Sequence, residues 1–415
     1  MSKLKVKQGA SILSEQWRML VYLLMAQLLI AFVGRSIGPL GALIGEDLSL
    51  TKSQIGMLPA ALFFGQAIIS VPAGFLTDRY GSRNLLVLAA IFLGAGFLVM
   101  TFTVHFLLIL FLVMIGGMGY GAMHPITNRG IIDWFSLNQR GTAMGIKQTG
   151  VTAGSALAGF ILLPLSVEYG WRIVLMSGCL LLVFSGFVSY WLYRDSPKQS
   201  QPAANQGLTD FYKSMFGLMR NKSLMLVSFS AIGLNGSQMC LNTYLVLFVY
   251  EKFSISLVLA GGLFVISELS GTLGRITWGI ISDIVFKGNR IIILLIISVL
   301  TAVSSTIVAL LPSASFALLV PIIMLFGFSV SGFNGIWMNL ASEIVPPQQA
   351  GIASGVSLMF GSMGVMIVPP LFGFMVDETG NFMFGWLLIT GLMFVVFFML
   401  FYLSILNKRN RAEVF

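Results

Sequence analysis

Twelve stretches of about 20 or more mostly apolar residues run through this chain of 415 residues. A helix needs ~20 such residues to cross the hydrocarbon core of a bilayer. The stretches are 18–43, 55–76, 84–104, 107–132, 142–165, 172–194, 223–250, 257–281, 290–312, 314–342, 351–376 and 382–406. Continuous apolar runs, rather than short alternating ones, favour helices over a membrane barrel. We therefore predict an all-α integral membrane protein with twelve transmembrane helices.

The low charge content excludes a water-soluble domain. Only 9% of the residues are charged, 57% are hydrophobic, and the mean hydropathy is +0.92. A water-facing surface needs far more charge than this. The net charge of +9 is explained by topology rather than by a nucleic-acid partner.

The bases are distributed very unequally between the two sides of the predicted membrane protein. With twelve crossings both termini share one side, and that side holds seventeen of the 24 Lys and Arg residues. The opposite loops hold three, namely Lys52, Arg172 and Lys252, and the remaining four lie inside spans. The positive-inside rule then predicts cytoplasmic termini in a cell membrane.

Other classes of protein find no support in the residues. The first apolar run is too long for a signal peptide, so we expect no cleaved leader. Cys179 and Cys240 both fall within spans and are typical of packing residues. With two histidines and no Cys/His cluster we expect no metal site, no cofactor and no enzyme constellation. We expect a monomer.

One long polar segment divides six spans from six. Its prolines and its Gln, Ser, Ala and Asn content indicate a cytoplasmic linker at 195–222, with a surface helix at 208–219. The predicted domains are a six-helix bundle at 1–194 and a second at 223–415. Gly74–Asp78 is echoed by Gly279–Asp283, and the exit of helix 4 is echoed by that of helix 10, which indicates an internal duplication. Related halves of this kind place a substrate site at their interface and alternate access by rocking.

The loop after helix 2 resembles a known signature. Gly74-Phe75-Leu76-Thr77-Asp78-Arg79-Tyr80-Gly81-Ser82-Arg83 is similar to the loop 2–3 motif of the major facilitator superfamily. The resemblance implies two pseudo-symmetric six-helix bundles. It also implies a conformational latch at the cytoplasmic helix ends, made of Asp78, Arg79, Arg83 and Asp283.

Five charged residues lie inside the predicted spans: Arg35, Arg129, Lys147, Glu268 and Arg275. A charge at the bilayer centre costs about 2.5–3.5 kcal/mol on insertion scales, so these side chains should face a cavity or a partner. Because four of the five are basic, we predict an interior that attracts anions. The alternatives are a snorkelling or structural Arg35, an ion pair of Arg129 with Asp133, and pairing of Arg275 with Asp283 or with the latch at the helix ends.

The helix 4 region narrows the resemblance. Pro125-x-x-Asn128-Arg129, Trp134-Phe135 and Arg140 are similar to the anion:cation symporter branch, which carries organic anions, commonly with protons. The resemblance implies that Arg35 and Arg129 contact a substrate carboxylate. Two positions depart from it, because Gly34 replaces the usual acid of helix 1 and Lys147 replaces a neutral residue of helix 5.

Further polar residues complete the predicted substrate site. Gly274-Arg275 resembles the arginine of oxalate- and monocarboxylate-type carriers. Asn235, Gln238 and Asn242 form one stripe on helix 7, which lipid would penalise. The other candidates are Gln148, Asn334, Trp337 and Asn339. Hydrogen bonding between helices without ligand contact is the alternative for this set.

The titratable candidates for proton coupling are Glu268, Asp133 and His124. Glu268 is the acid well inside a span, and we hypothesise that it alternates between protonation and pairing with Lys147 or an arginine. A static ion pair is the alternative, and a lone histidine is commonly a structural group.

The function predicted is proton-coupled uptake of a small organic anion, such as a carboxylate, by alternating access. Anion exchange is the second hypothesis, and it needs no titrating acid. Multidrug efflux is the third, and it is weakened because helix 5 lacks the Gly-Pro pair of that class. The fourth hypothesis comes from a different class of protein, a membrane sensor that binds an anion without transporting it.

The Gly150–Gly154 step of helix 5 predicts a close contact between helices.

Overall fold

The computed structural model describes residues 2–196, 213, 215–312, 316–346 and 349–412. Almost all of them are helical. The helices of the first part are α1 Ser2–Gly34, α2 Ile37–Asp47, α3 Lys52–Met100, α4 Phe106–Trp134, α5 Leu137–Leu157, α6 Leu163–Tyr169 and α7 Trp171–Leu192. Those of the second part are α8 Lys222–Phe253, α9 Leu257–Ile284, α10 Arg290–Leu310, α11 Phe316–Val330, α12 Asn334–Glu343, α13 Ala350–Thr379 and α14 Phe382–Ala412.

Within these described residues, twelve helical segments are long and apolar enough to cross a membrane. They coincide with the twelve predicted stretches, so the predicted fold class is confirmed. Their ends differ from the prediction by several residues at places, because helices continue through polar flanks such as Glu15–Trp17 and Ile44–Asp47. The surface helix predicted at 208–219 lies largely outside the described residues.

Two spans are interrupted by non-helical residues where the sequence predicts continuous helices, whereas a π-helical segment, Ala158–Leu162, joins α5 to α6 in the fifth span. The first breaks after Gly34, and the Ser36 hydroxyl donates to the carbonyl of Val33 at 2.7 Å. The tenth breaks between α11 and α12, at Ser331–Phe333. A broken helix leaves backbone groups that need other partners, and such breaks in membrane proteins are tolerated where protein surrounds them.

The described chain packs as two compact units. One comprises residues 1–36 and 61–205, and the other comprises residues 37–60 and 206–415. Residues 37–60 thus pack with the second unit, where α2 lies against α8. The sequence-based division at 194 and 223, which follows the internal repeat, stays a prediction.

Small residues permit a close contact between α1 and α5 in the first unit. A Cβ on Gly154 would lie 2.3 Å from the carbonyl oxygen of Leu28, and one on Gly150 would lie 3.0 Å from that of Leu24. The helix contact predicted from the Gly150–Gly154 step is therefore confirmed, with α1 as the partner of α5.

Gly81 forms the turn between the second and third spans. Its φ is +77°, a conformation that L side chains rarely adopt. The turn presents the backbone N–H groups of Ser82 and Arg83 to the Asp195 carboxylate, at 3.0 and 3.2 Å. Burial raises the pKa of the Asp195 carboxyl above its ordinary value, while these two N–H groups act in the opposite direction.

Gly81→Ala is expected to destabilise the first unit by about 1–3 kcal/mol, since alanine at this φ is strained. The new Cβ would also lie 2.4 Å from the Asp195 Oδ2 atom. Thermal unfolding of the purified protein in detergent measures the effect. Gly141→Ala is the matched control, because nothing lies within 4 Å of a Cβ there. Equal unfolding temperatures for the two variants would contradict the prediction.

Candidate functional site

Arg35 lies in the break between α1 and α2, next to Tyr120 of α4. Its Nε atom donates to the Tyr120 hydroxyl at 3.0 Å. Gly34 makes this approach feasible, since a Cβ there would lie 2.6 Å from the Tyr120 ring. The aspartate that the family resemblance leads one to expect at position 34 is therefore excluded by the position of the tyrosine ring.

Three residues of α4 share one helix face, and the candidate site extends along that face. Tyr120, His124 and Asn128 are spaced four residues apart, so their side chains follow one another along the helix. The rings of Tyr120 and His124 meet edge to face, with centroids 6.2 Å apart. Asn128 Oδ1 accepts a hydrogen bond of 2.8 Å from Lys147 Nζ.

Lys147 is a buried base on α5. It is 2% exposed, although α5 has exposed residues on either side of it. Both Lys147 and Arg35 act electrostatically on the His124 imidazole. The structure therefore brings Arg35, Tyr120, His124, Asn128 and Lys147 together, and we call these five residues the basic cluster.

The basic cluster is suited to hold an anion. Arginine presents a planar set of N–H donors that match the two oxygens of a carboxylate, and lysine adds a compact second charge. Asn128 and Tyr120 supply neutral polar groups beside them. Tyr120 and Asn128 were not predicted as site residues, although their four-residue spacing with His124 was a usable signal.

Arg129, predicted as a substrate ligand, lies between two carboxylates. Its Nη1 atom is 3.0 Å from Asp78 Oδ1, and its Nε atom is 3.1 Å from Asp133 Oδ2. Arg129 thus joins an acid of the loop motif to an acid of its own helix. The ion pair with Asp133, which the sequence analysis left open as an alternative, is present.

The second unit contains a similar group of two acids around one arginine. Arg290 pairs with Asp283 and lies 3.4 Å from Glu343. Asp283 and Glu343 occupy the positions equivalent to Asp78 and Asp133 in the internal repeat. The base differs, because Asn339 stands where Arg129 would be and the first residue of α10 supplies the guanidinium instead.

The remaining bases of the predicted latch contact neighbouring groups. Arg83 donates from Nε to the Tyr190 carbonyl at 2.6 Å, and its guanidinium lies 4.3 Å from the centroid of the Tyr190 ring. Arg79 is exposed and stacks on Tyr80 at 5.5 Å.

Glu268 and Arg275 both lie on α9 in the second unit. Glu268 is 2% exposed. Arg275 donates from Nε to the carbonyl oxygen of Ser331 at 3.0 Å, which is one of the backbone groups released where α11 ends. Its pairing with Asp283 was the alternative in the sequence analysis, and Asp283 instead pairs with Arg290.

The polar stripe of α8 meets α12 inside the second unit. Asn334 Nδ2 donates to Gln238 Oε1 at 3.3 Å, and Asn242 is buried on the same helix as Gln238. Asn235 donates to the carbonyl of Ala231 at 3.0 Å. Hydrogen bonding between helices, the alternative named for this stripe, thus accounts for Gln238 and Asn334.

The other predicted site residues differ in exposure. The Trp337 indole is fully buried, and its N–H donates to the Ser357 hydroxyl at 2.8 Å. Gln148 and Asn339 are exposed.

A group of polar contacts around Lys52 and Ser53 in the second unit was not predicted from the sequence. Asp377 accepts hydrogen bonds of 2.8 Å from the backbone N–H groups of Lys52 and Ser53, at the first turn of α3. Lys52 Nζ pairs with Glu251, and the Tyr244 hydroxyl lies 2.8 Å from the Lys52 carbonyl. These residues come from distant parts of the sequence and show no spacing pattern, so the sequence offered no signal.

Comparison with known protein families decides the class. The sequence profile described as Major Facilitator Superfamily matches residues 23–369 and, in a second match, 287–414. The chain belongs to the major facilitator superfamily. The family predicted from the loop 2–3 motif is thereby confirmed, and the protein is a multi-pass integral membrane protein of a transporter superfamily.

Within this superfamily, curated relatives match most of the chain. The hexuronate transporter of Bacillus subtilis is 23% identical over 84% of this chain and 85% of its own length. The probable galactarate/D-glucarate transporter GudP of the same species is 25% identical over 82% of this chain and 81% of its own. The membrane sensor protein UhpC of Salmonella typhimurium is 24% identical over 77% and 76%.

Solved structures of superfamily members share the fold. The nucleoside transporter NupG aligns with a TM-score of 0.77 at 18% identity, over 93% of this chain and 99% of its own. A bacterial homologue of the human lysosomal transporter Spinster aligns with a TM-score of 0.78 at 16% identity, over 94% and 97%. At this identity the likeness extends to the fold alone.

Proposed function

We propose that this member of the superfamily takes up a small organic anion, with a carboxylate as its charged group, together with protons and by alternating access. The observation that carries the proposal is the basic cluster. It sets Arg35 and Lys147 around His124 in the interior of the first unit. Two bases held inside apolar spans attract a negative charge.

The named relatives agree with this chemistry. Hexuronate, galactarate and D-glucarate, which appear in the names of two relatives, are organic anions that carry carboxylates. We assign Arg35 and Lys147 to the carboxylate. Arg275, Gln148, Asn235, Gln238, Asn242, Asn334, Trp337 and Asn339 stay candidate contacts for the rest of the molecule.

Arg129 is better assigned to the latch than to the substrate. Asp78 and Asp133 already occupy its guanidinium, and the second unit repeats the arrangement with Arg290. For the same reason Asp133 is a weaker candidate for proton coupling than Glu268 or His124. We also propose that both termini are cytoplasmic, which the excess of bases on their side supports.

Anion exchange is the second candidate function. It is favoured by the basic cluster itself, because within the described residues no carboxylate pairs with Lys147, and exchange requires no titrating acid. The similarity to the membrane sensor protein UhpC supports a third candidate, a sensor that binds an anion without transporting it. Multidrug efflux has no comparable observation in its favour.

Transport by the purified protein in liposomes separates these functions. Monocarboxylates, dicarboxylates, sugar acids, inorganic anions and cationic drugs are first ranked by how much they raise the unfolding temperature. The best anion is then tested for uptake driven by a pH gradient and for exchange against internal anion. We expect both activities. Binding without either activity would indicate a sensor, exchange alone would indicate an exchanger, and stabilisation by cationic drugs alone would reject the proposal.

A further inference from the structure

Lys147 is held in an unusual environment for a charged side chain. Its ammonium group has three N–H donors, and Asn128 Oδ1, which is neutral, accepts from it at 2.8 Å. The side chain is 2% exposed. Among the described residues no carboxylate lies within ion-pair distance of its Nζ atom, as the ion pairs formed there involve other bases.

The surroundings of Lys147 come from α1 and α4, the helices that pack against α5. The titratable and charged side chains described on these helices, with the residue that follows α1, are Glu15, Arg18, Tyr22, Arg35, His105, Tyr120, His124, Arg129 and Asp133. Glu15 pairs with Arg18, and Asp133 pairs with Arg129. Lys147 and Arg35 both act electrostatically on His124. The carboxylates described on α1 and α4 therefore pair with bases other than Lys147.

Burial without a carboxylate partner makes the charged form of Lys147 costly when no ligand is bound. A cation removed from water without a counter-ion carries a large desolvation penalty, which a lysine avoids by releasing its proton. Arginine does not have this option, because its guanidinium stays protonated in proteins. Arg35 is thus a fixed charge, whereas Lys147 is able to change its charge.

We propose that Lys147 carries the proton that is co-transported with the anion, an inference that rests on the proposed function. In the empty protein a fraction of the Lys147 side chains, which grows as the pH is raised from neutral, are amines hydrogen-bonded to Asn128. When the anion arrives, the amine takes up one proton, so that –NH₂, H⁺ and RCOO⁻ become –NH₃⁺ paired with RCOO⁻. An N–H bond is the single bond formed, and on the other side of the membrane the proton and the anion leave together.

This inference also explains how coupling operates without the acid that the related branch carries at position 34. The Tyr120 ring excludes that acid, and a titrating base on α5 replaces it. An acid couples because it loses its negative charge when it binds a proton, and Lys147 couples because it gains a positive charge when it binds a proton. The result is the same, because proton and anion bind more tightly together than apart.

The first test measures protons taken up when the anion binds to the purified protein. Calorimetry of the best-stabilising anion is performed in two buffers of different ionisation enthalpy. The wild-type protein is expected to take up between zero and one proton per anion, with the fraction rising as the pH is raised from neutral. Binding without proton uptake at any pH would overturn the proposal, whatever the variants do.

The second test uses Lys147→Arg, which keeps the charge and removes the ability to titrate near neutral pH. This variant is expected to bind the anion without proton uptake and to lower the uptake driven by a pH gradient at least ten-fold, whereas anion exchange across liposomes falls by a smaller factor. Lys252→Arg, at the end of another span, is the matched control and should behave as wild type. Lys147→Gln, a neutral side chain, should bind the anion at least ten-fold more weakly, also without proton uptake.

The outcomes separate this inference from the proposed function. Uptake driven by a pH gradient at the wild-type level in Lys147→Arg, or proton uptake by Lys147→Gln, would overturn the role of Lys147. Loss of proton uptake in Glu268→Gln, with proton uptake retained in Lys147→Gln, would assign the role to Glu268. If no anion binds to or crosses with the wild-type protein, both the proposed function and this inference fail.

Discussion

Replacing Arg35 with alanine is expected to lower the kcat/KM of anion uptake by about 10- to 100-fold. A hydrogen bond to a charged group contributes about 1.5–3 kcal/mol, and each 1.4 kcal/mol corresponds to a factor of ten. Arg35 is the fixed charge of the basic cluster, and its Nε atom is oriented by the Tyr120 hydroxyl at 3.0 Å. Removing it takes away both the charge and the oriented donors.

Two variants separate charge from orientation at this position. Arg35→Lys keeps the charge without the planar set of donors, so its uptake should fall between those of Arg35→Ala and the wild type. Tyr120→Phe keeps the ring that packs against Gly34 but lacks the hydroxyl that holds the guanidinium, and its KM should rise with little change in stability. Arg172→Ala is the control, because this arginine contacts the Thr101 carbonyl outside the basic cluster. Wild-type uptake by Arg35→Ala would reject Arg35 as a ligand.

The twelve spans were predictable from sequence because each rests on local composition. A run of apolar residues long enough to cross a bilayer has few other structures available to it. The buried bases were predictable for a related reason, since a charge such as Lys147 survives inside a span only where protein or ligand surrounds it. The repeat of the acids Asp78 and Asp283 was visible because both follow the same short motif.

The partners of these charged groups were not predictable from sequence. In the second unit the guanidinium between the two acids comes from Arg290, which lies on a different helix from the residue equivalent to Arg129. The positive charge is therefore kept beside the acids but not at the equivalent sequence position. Tyr120 fills the place of the expected acid at Gly34 from a distant position on another helix. The breaks after Gly34 and Val330 were not predicted either. At the second break, the released carbonyl of Ser331 accepts a hydrogen bond from Arg275 on another helix, a contact that the local sequence does not indicate.

Arg129→Ala is expected to destabilise the protein while leaving anion binding unchanged. It leaves the carboxylates of Asp78 and Asp133 without the base that joins them, 3.0 and 3.1 Å away. Removing one partner of a fully buried ion pair costs about 3–5 kcal/mol. Because the Arg129 side chain is 17% exposed and that of Asp78 is 42% exposed, we expect about 1–3 kcal/mol here. The measurement is thermal unfolding in detergent beside anion-dependent stabilisation.

The second unit and a charge-balanced double variant complete this test. Arg290→Ala should produce a similar loss of stability, since Asp283 and Glu343 then lose their shared base. Arg129→Ala combined with Asp133→Asn should recover part of the loss, because one of the two acids that Arg129 joins is then neutral. Arg18→Ala breaks an exposed pair with Glu15 and should change stability little. A ten-fold loss of anion affinity in Arg129→Ala, at wild-type stability, would instead make Arg129 a substrate ligand, because a base that only joins two acids has no reason to alter affinity.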